Sequence, residues 1–551
     1  MTMFRNKSAS AHQFAMTPSP EVPRSRFDME FMHKSTFDAG YLVPFYWQEV
    51  LPGDTFNFAA TLFARMATPI YPIMDNMYLD SQFFFVPYRL VWNNWVKMMG
   101  EQTNPGDSIS YTVPQMVSPA DGYLIGSLQD YFGLPTKGQV TAGQTVSHSA
   151  LPIRAYNLIY NEWYRDENLQ NSVVVDKGDA ASTYSNYTLL RRGKRKDYFT
   201  GALPWTQKGT AVPLPLGTSA PVYGNGLALG LTDGSYAYAL GNVNSNGLLT
   251  TALSQTGQAA GATRTASAAG GDLLLGVGPS SFGANSGLYA DLSAATSATI
   301  NAIRQAFQIQ RLLERDARGG TRYVEILASH FRVRSPDARL QRPEYLGGGS
   351  TPVNINPIPQ NSATGASGTT TPIGFLGGMA TVTAKHHGFT QSFVEHGCVI
   401  GIISIRADLT YQQGMRKDWS RLTRYDYYWP VFSHLGEQAI LNREIYCQGD
   451  GVAADAAVFG YQERWAEYRY LPSMISGVFR STATLTLDAW HLAQKFTSLP
   501  TLNTTFIQET PPISRVVAVT SQPQFIFDCY CRNRVTRPMP MYSVPGLVDH
   551  F

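Results

Sequence analysis

The chain has 551 residues, of which 44% are hydrophobic, 12% aromatic and only 15% charged, and its formal net charge is +3. So small a net charge does not mark a nucleic-acid binder; any such contact must come from basic residues gathered on one face. Charge this far below the roughly 25% of ordinary soluble domains, together with many aromatic residues, fits a surface covered by other subunits or a secreted β protein with a polar uncharged surface, and composition does not separate the two.

The length suits about three or four ordinary domains or fewer large β domains. The first segment, MTMFRNKSASAHQFAMTPSP, has no apolar core of the kind a signal peptide carries. No apolar run reaches the roughly 18–20 residues needed to cross a bilayer, and the longest, Cys398 to Ile405, suits a buried strand. These features predict a soluble chain made in the cytoplasm, with no membrane contact. Four cysteines, Cys398, Cys447, Cys529 and Cys531, imply no disulfide framework at this length. Cys529 and Cys531 fall on one face of a strand with no second ligand pair beside them, so they read as buried apolar thiols.

In chain order, residues 1–35 read as an extended arm, because Pro18, Pro20 and Pro23 discourage regular structure. Its Arg5 and Lys7, with Arg24 and Arg26, suit a partner or nucleic acid. A period-two pattern predicts a strand over 54–66, and 76–88 reads as a second strand with Phe83, Phe84 and Phe85 filling both faces. Helices are expected over 90–99 and 151–168. From about Thr206 to Ala295 charge almost vanishes while Leu, Val and Tyr recur, which predicts a long, partly structured insertion. Residues 295–318 show helical spacing through Ile300, Ile303 and Phe307, closed by Gly319-Gly320. A second flexible loop is expected over 347–371. Strands follow at 390–394, 399–410, 444–447, 476–480, 516–520 and 524–532, and then a C-terminal arm over 532–551. Many strands, few helices and long connections predict one mainly β, Greek-key sandwich over 36–551.

Chemistry is sparse. No P-loop, G-x-S-x-G elbow or H-E-x-x-H motif is present in the sequence. His386 and His387 are adjacent, so on a strand they point to opposite faces, a poor metal geometry that favours a surface or interface role. No catalytic residue, metal site or cofactor is assigned. The run Arg191, Arg192, Lys194, Arg195, Lys196, flanked by Tyr187, Tyr198 and Phe199, combines charge with aromatic platforms as single-stranded nucleic-acid sites do. A solvated loop is the plain alternative. Arg421, Arg424 and the aromatics at 425–429 read as interface or core. The densest arginine segment spans 301–349 and contains no lysine. Its Arg318, Arg322, Arg339 and Arg342 stand beside Asp316, Glu325, Asp337 and Glu344, which points to structural or inter-subunit contacts by planar guanidinium groups.

Several long segments together resemble a known family. They are FDMEFMHKSTFDAGYLVPFYWQEVLPGDTF near the start, NEWYRDENLQNSV from Asn161, LLERDARGGTRYVEIL with SPDARLQRPEYLGG, and WAEYRYLPSMISGVFRS from Trp465. They resemble the major capsid protein of the Microviridae, small single-stranded DNA bacteriophages, in the gokushovirus branch. The resemblance covers most of the chain except 206–295, where these proteins carry a variable insertion. It implies an eight-stranded antiparallel viral jelly roll in two sheets with long insertions and a few helices. It also implies a sixty-subunit T=1 icosahedral shell around a circular single-stranded DNA genome, assembled in the bacterial host cytoplasm. The partners implied are the chain itself, the genome, a minor virion or pilot protein, a scaffolding protein and a host cell-surface receptor. The insertion is then expected as a protrusion at the threefold axes, a candidate for host attachment. A soluble β-sandwich binding or adhesive protein is the alternative, and a β-sandwich glycosidase a third.

Overall fold

The computed structural model describes residues 23–210, 222–224, 229–232, 237–239, 254–255, 274–277, 288–290, 300–319, 329, 341–362 and 373–542. Two compact units emerge, one made of residues 1–206 with 320–551 and the other of residues 207–319.

The larger unit is built on nine principal strands. They are β1 (Ser25–Phe37), β2 (Val43–Val50), β3 (Thr55–Met66), β4 (Met77–Pro87), β5 (Glu344–Pro352), β6 (Asn354–Pro359), β7 (Leu376–Ser392), β8 (Gly397–Ala407) and β9 (Phe525–Arg537). One sheet has the order β1-β9-β3-β7-β6 and the other β5-β4-β8-β2. Every pairing in both is antiparallel. The fold is thus mainly β.

The alternation of apolar and polar residues expected over 54–66 is what β3 shows, with Phe56, Phe58, Ala60, Leu62 and Ala64 inward and their neighbours outward. The inward rows of the two sheets meet in one core rich in phenylalanine. Phe58 of β3 meets Phe83 of β4 at 4.9 Å between ring centroids, and Phe45 of β2 meets Phe527 of β9 at 5.9 Å. Strand β8 is buried along its whole length. Its other face, with Phe84 and Val86 of β4, joins a second core formed with α1 (Leu151–Ile159) and neighbouring loops, where Tyr156, Ile153 and Trp92 pack. The central strands β4 and β8 of this sheet are therefore covered on both sides. The outer face of the β1-β9-β3 side carries no such layer among the described residues.

Several sequence expectations change. Residues 25–35, expected as arm, lie in edge strand β1, and β9 runs to Arg537, taking in the first six residues of the expected C-terminal arm. Pairing Ser25 with Arg537 outweighs the preceding prolines as a structural signal. Much of the expected loop at 347–371 is strand, because the glycines of β5 permit close approach. A Cβ on Gly348 would lie 2.0 Å from the Ser81 carbonyl oxygen, and one on Gly349 2.5 Å from His387 Nε2. The expected strand at 444–447 is a one-turn helix, Asn442–Ile445, and that at 476–480 a 3-10 turn, Gly477–Phe479. At 516–520 only an isolated bridge forms, Pro69 to Val517. Helix 90–99 shrinks to Trp95–Met98, and helix 151–168 becomes α1 followed by a π turn at Tyr160–Tyr164.

His387 is buried, against the surface role expected of it. A β-bulge at Ala384/His387 turns its ring into the core. There Nδ1 lies 2.7 Å from Ser81 Oγ and Nε2 3.0 Å from Thr351 Oγ1, and burial pushes its pKa down. His386 takes the exposed side with a φ of 62°.

The smaller unit contains the helix α2 (Ile300–Gly319), close to the helix predicted over 295–318. It also contains a four-stranded sheet of short strands, ordered Ser254–Gln255, Ala237–Ala239, Leu229–Thr232, Leu274–Val277. The greater part of the insertion expected over 206–295 lies outside the described residues.

Gly349→Ala should displace the His387 ring and cost about 1–3 kcal/mol of stability. A lowered urea midpoint at unchanged slope is the expected reading.

Candidate assembly and nucleic-acid surfaces

The basic run at 191–196 crosses the larger unit as an extended segment, bridging Tyr41 at Arg191 and Gln508 at Gly193. Most of its charge is engaged inside the subunit. The Arg191 guanidinium stacks 3.9 Å from the Tyr41 ring centroid and donates to the Glu509 carbonyl at 3.1 Å. Arg192 donates to Asp80 at 2.7 Å and to Ser404 Oγ at 2.7 Å, and Arg406 Nε reaches the same Asp80 oxygen at 2.8 Å. Burial alone would raise the Asp80 pKa. The Ser350 hydroxyl and the two guanidinium groups outweigh it and hold the carboxyl below its usual range.

Lys194 is buried, donating to Gln494 Oε1 at 2.9 Å, with Nζ 4.5 Å from the Phe506 ring centroid. Burial lowers its pKa to about 8, against the opposing pull of Glu509 and Asp197. Lys196 pairs with Asp166, and Arg195 lies 3.9 Å from Asp408 with its side chain 61% exposed. The flanking Tyr187, Tyr198 and Phe199, expected as stacking platforms, are all core residues. Arg195 and Lys196 keep mostly exposed side chains. Arg5 and Lys7 lie outside the described residues.

Of the arginine segment, Asp316 and Arg318 sit in the last turns of α2. Arg342 stacks 4.9 Å from the centroid of Trp163, whose indole donates to the Pro343 carbonyl at 2.9 Å. Arg322, Asp337 and Arg339 fall outside the described residues.

Sequence reasoning noticed the cluster at 421–429 but not its extent. It belongs to an apron of exposed apolar side chains in the long β8–β9 connection. Leu422 is 92% exposed, Val431 82% and Trp419 79%, and Tyr425, Trp429, Tyr468, Leu471 and Met474 join them. The apron is held firmly from beneath. The Arg421 guanidinium lies 3.0 Å from Asp418, 3.5 Å from Glu467 and 4.5 Å from the Tyr468 ring centroid. Trp465 donates to the Phe432 carbonyl at 2.9 Å, and Tyr428 packs against both Trp465 and Tyr468. A cavity of about 270 Å³, lined by Tyr198, Met415, Trp419, Tyr470 and Met474 among others, opens beside it.

A second exposed surface is the outer face of the β1-β9-β3 side. Cross-strand partners share a face. Arg26, Asp28, Glu30, Met32 and Lys34 of β1 therefore stand with Thr536, Arg534, Arg532, Tyr530 and Asp528 of β9. These in turn stand with Thr55, Asn57, Ala59, Thr61 and Phe63 of β3.

Among the described residues no cluster of three His, Cys, Asp or Glu side chains could hold a metal ion. Cys398, Cys529 and Cys531 are buried and Cys447 exposed. No described helix is long and apolar enough to cross a membrane.

A model of the capsid protein (F protein) family of phages matches residues 15–547. The chain belongs to this capsid family. It is 48% identical over 549 residues to capsid protein VP1 of Bdellovibrio phage phiMH2K, with 98% of each chain covered. It is 46% identical over 596 residues to capsid protein VP1 of Chlamydia phage 1, and 34% over 572 residues to that of Spiroplasma virus 4, again with 98% of each chain covered. The resemblance to gokushovirus-type Microviridae thus holds. A capsid protein is a structural part of the virion and not an enzyme.

The buried lysine of this capsid protein gives a pH signature. Lys194 sheds its proton near pH 8 when folded and near ~10.4 when unfolded. Between those values the unfolded chain binds more protons, so this group makes stability rise with pH. Lys194→Met should remove that rise, seen as a wild-type-minus-variant difference in urea midpoint that grows from pH 8 to 10.

Proposed function

We propose that the chain is the subunit of a T=1 icosahedral shell of sixty copies around a circular single-stranded DNA genome, and that its two sheets form an eight-stranded jelly roll. The strand orders support the jelly roll. With β6 set aside as an added edge strand, the remaining eight, counted in chain order, run 1-8-3-6 and 5-4-7-2. Each sheet thus interleaves early and late strands, as a Greek-key wrap requires. The family relationship supports the enclosing role.

The observation that carries self-assembly is the apron around Trp419, Leu422 and Val431. Its exposed apolar surface is on the order of 1,000 Å², more than the ~800 Å² that one partner contributes to a standard interface. Arg421 at its base is paired within the subunit, with Asp418 and Glu467. It therefore suits an apolar protein partner better than a polyanion, and in a shell that partner is a second copy. Residues 206–295 are assigned to an exterior protrusion that meets the host receptor. Arg195, Lys196, Arg5 and Lys7 remain candidates for genome contact. Arg318, Arg322, Arg339 and Arg342, with Asp316 and Asp337, remain candidates for structural or inter-subunit contacts. A pilot or minor virion protein and a scaffolding protein complete the assembly.

Electron microscopy of the purified chain tests the reading. Wild type should give icosahedral particles. Leu422→Glu with Val431→Glu should give soluble subunits and no particles, with subunit stability changed by no more than about 0.5 kcal/mol. Normal particles from the double variant would remove the apron from assembly, and a wild type that stays monomeric under all assembly conditions would remove the shell.

A further inference from the structure

We propose that the outer face of the β1-β9-β3 side, exposed among the described residues, is a binding surface for single-stranded DNA. The proposal rests on the capsid reading above, which supplies a single-stranded genome, and adds where the shell protein would hold it.

The face carries a net positive charge. Arg26 and Lys34 on β1, Arg532 and Arg534 on β9 and Arg65 on β3 are joined at the β7 bulge by exposed Lys385. Against these six cations stand three carboxylates, Asp28, Glu30 and Asp528, which leaves +3, equal to the formal net charge of the entire chain. The carboxylates take up part of the positive set, with Arg532 lying 3.4 Å from Asp28 and Lys34 2.9 Å from Asp528. Arg65, Arg534 and Lys385 have no ion-pair partner among the described residues.

Two aromatic rings stand among these cations. Tyr530 is opposite Thr61, and Phe63 is opposite Asp528, so the two residues are diagonal neighbours, their backbone positions roughly 7–8 Å apart in such a sheet. Both are exposed, at 38% and 42%. The small residues Ala59 and Thr61 keep the middle of the face low. A flat antiparallel sheet with exposed rings that stack bases, and cations that follow the backbone, is a recurring way to hold a single strand without reading its sequence.

The same facts weigh against a second protein copy as occupant. An apolar protein interface would bury Arg65, Arg534 and Lys385 as unpaired ions, which desolvation strongly disfavours, and interface cores are poor in charge for this reason. A phosphate backbone pairs them. The apolar side chains here, Met32 and Ile526 beside the two rings, are far fewer than in the apron.

The test uses the full-length protein and an oligodeoxythymidylate. Tyr530→Ala should weaken binding roughly 5- to 150-fold, the usual loss of one stacking platform. Arg65→Ala with Arg534→Ala should lower the slope of log affinity against log salt by about 1.4. Both variants should still form particles. Ultraviolet cross-linking of genome-filled wild-type particles gives a reading that needs no variant, and adducts are expected on the peptides bearing Phe63 and Tyr530. Unchanged affinity and salt slope, or cross-links confined to other peptides, overturn the proposal. So does loss of particles with DNA binding intact, which would make the face a subunit contact. If the wild-type chain neither assembles nor retains DNA, the capsid reading fails first and this proposal with it.

Discussion

The structure depends on an aromatic layer locked between two sheets. Phe58 against Phe83 and Phe45 against Phe527 fix which side of each strand points in. With a side-chain period of two, a slip of one residue would exchange the faces. Each inward phenylalanine therefore determines an outward neighbour. On β3 that outward set is Asn57, Ala59, Thr61, Phe63 and Arg65, and on β9 it includes Tyr530, Arg532 and Arg534. The exterior is as strictly specified as the core, because one packing problem decides both.

The two sheets use this rule differently. The central strands β4 and β8 of the β5-β4-β8-β2 sheet turn neither face to solvent, since α1 and the loops around Trp92 bury Phe84, Val86 and Ile400. That burial accounts for the unbroken apolar run of β8. The other sheet keeps one face polar, and its alternation is correspondingly clean. Cations separate along the same division. Arg192, Lys194 and Arg406 are drawn inside to satisfy buried acceptors such as Asp80 and Gln494, while Arg534 and Arg65 stay outside.

Much of the fold was legible in the sequence where burial imposes a period. The strands at 54–66, 76–88, 399–410 and 524–532 and the helix near 300 have simple one-faced or fully buried patterns. Strand β5 was not legible, because EYLGGGSTP carries no apolar alternation; its strand state comes from the cross-strand space its glycines leave for Ser81 and His387. Strand β1 was hidden because Met29, Phe31 and Met32 are exposed in the single subunit, and its partner lies some 500 residues away. The basic run could be read as charge, yet its direction could not. Arg192 turns inward to Asp80, a residue 112 positions earlier, and no local pattern records that contact. The apron was visible only as a few aromatics, since its full extent joins residues near 420 to others near 470 through Arg421 and Tyr468.

The place of β9 has a consequence for synthesis. The last principal strand lies between β1 and β3, in the interior of its sheet. At bacterial elongation rates of about 5–20 residues per second, β9 leaves the ribosome roughly half a minute to a minute and a half after β1. Until then the two early strands have a gap between them, and the aromatic layer lacks Phe525 and Phe527. The sheet can close only once β9 has emerged, so a product that stops before Phe525 leaves the gap between β1 and β3 unfilled.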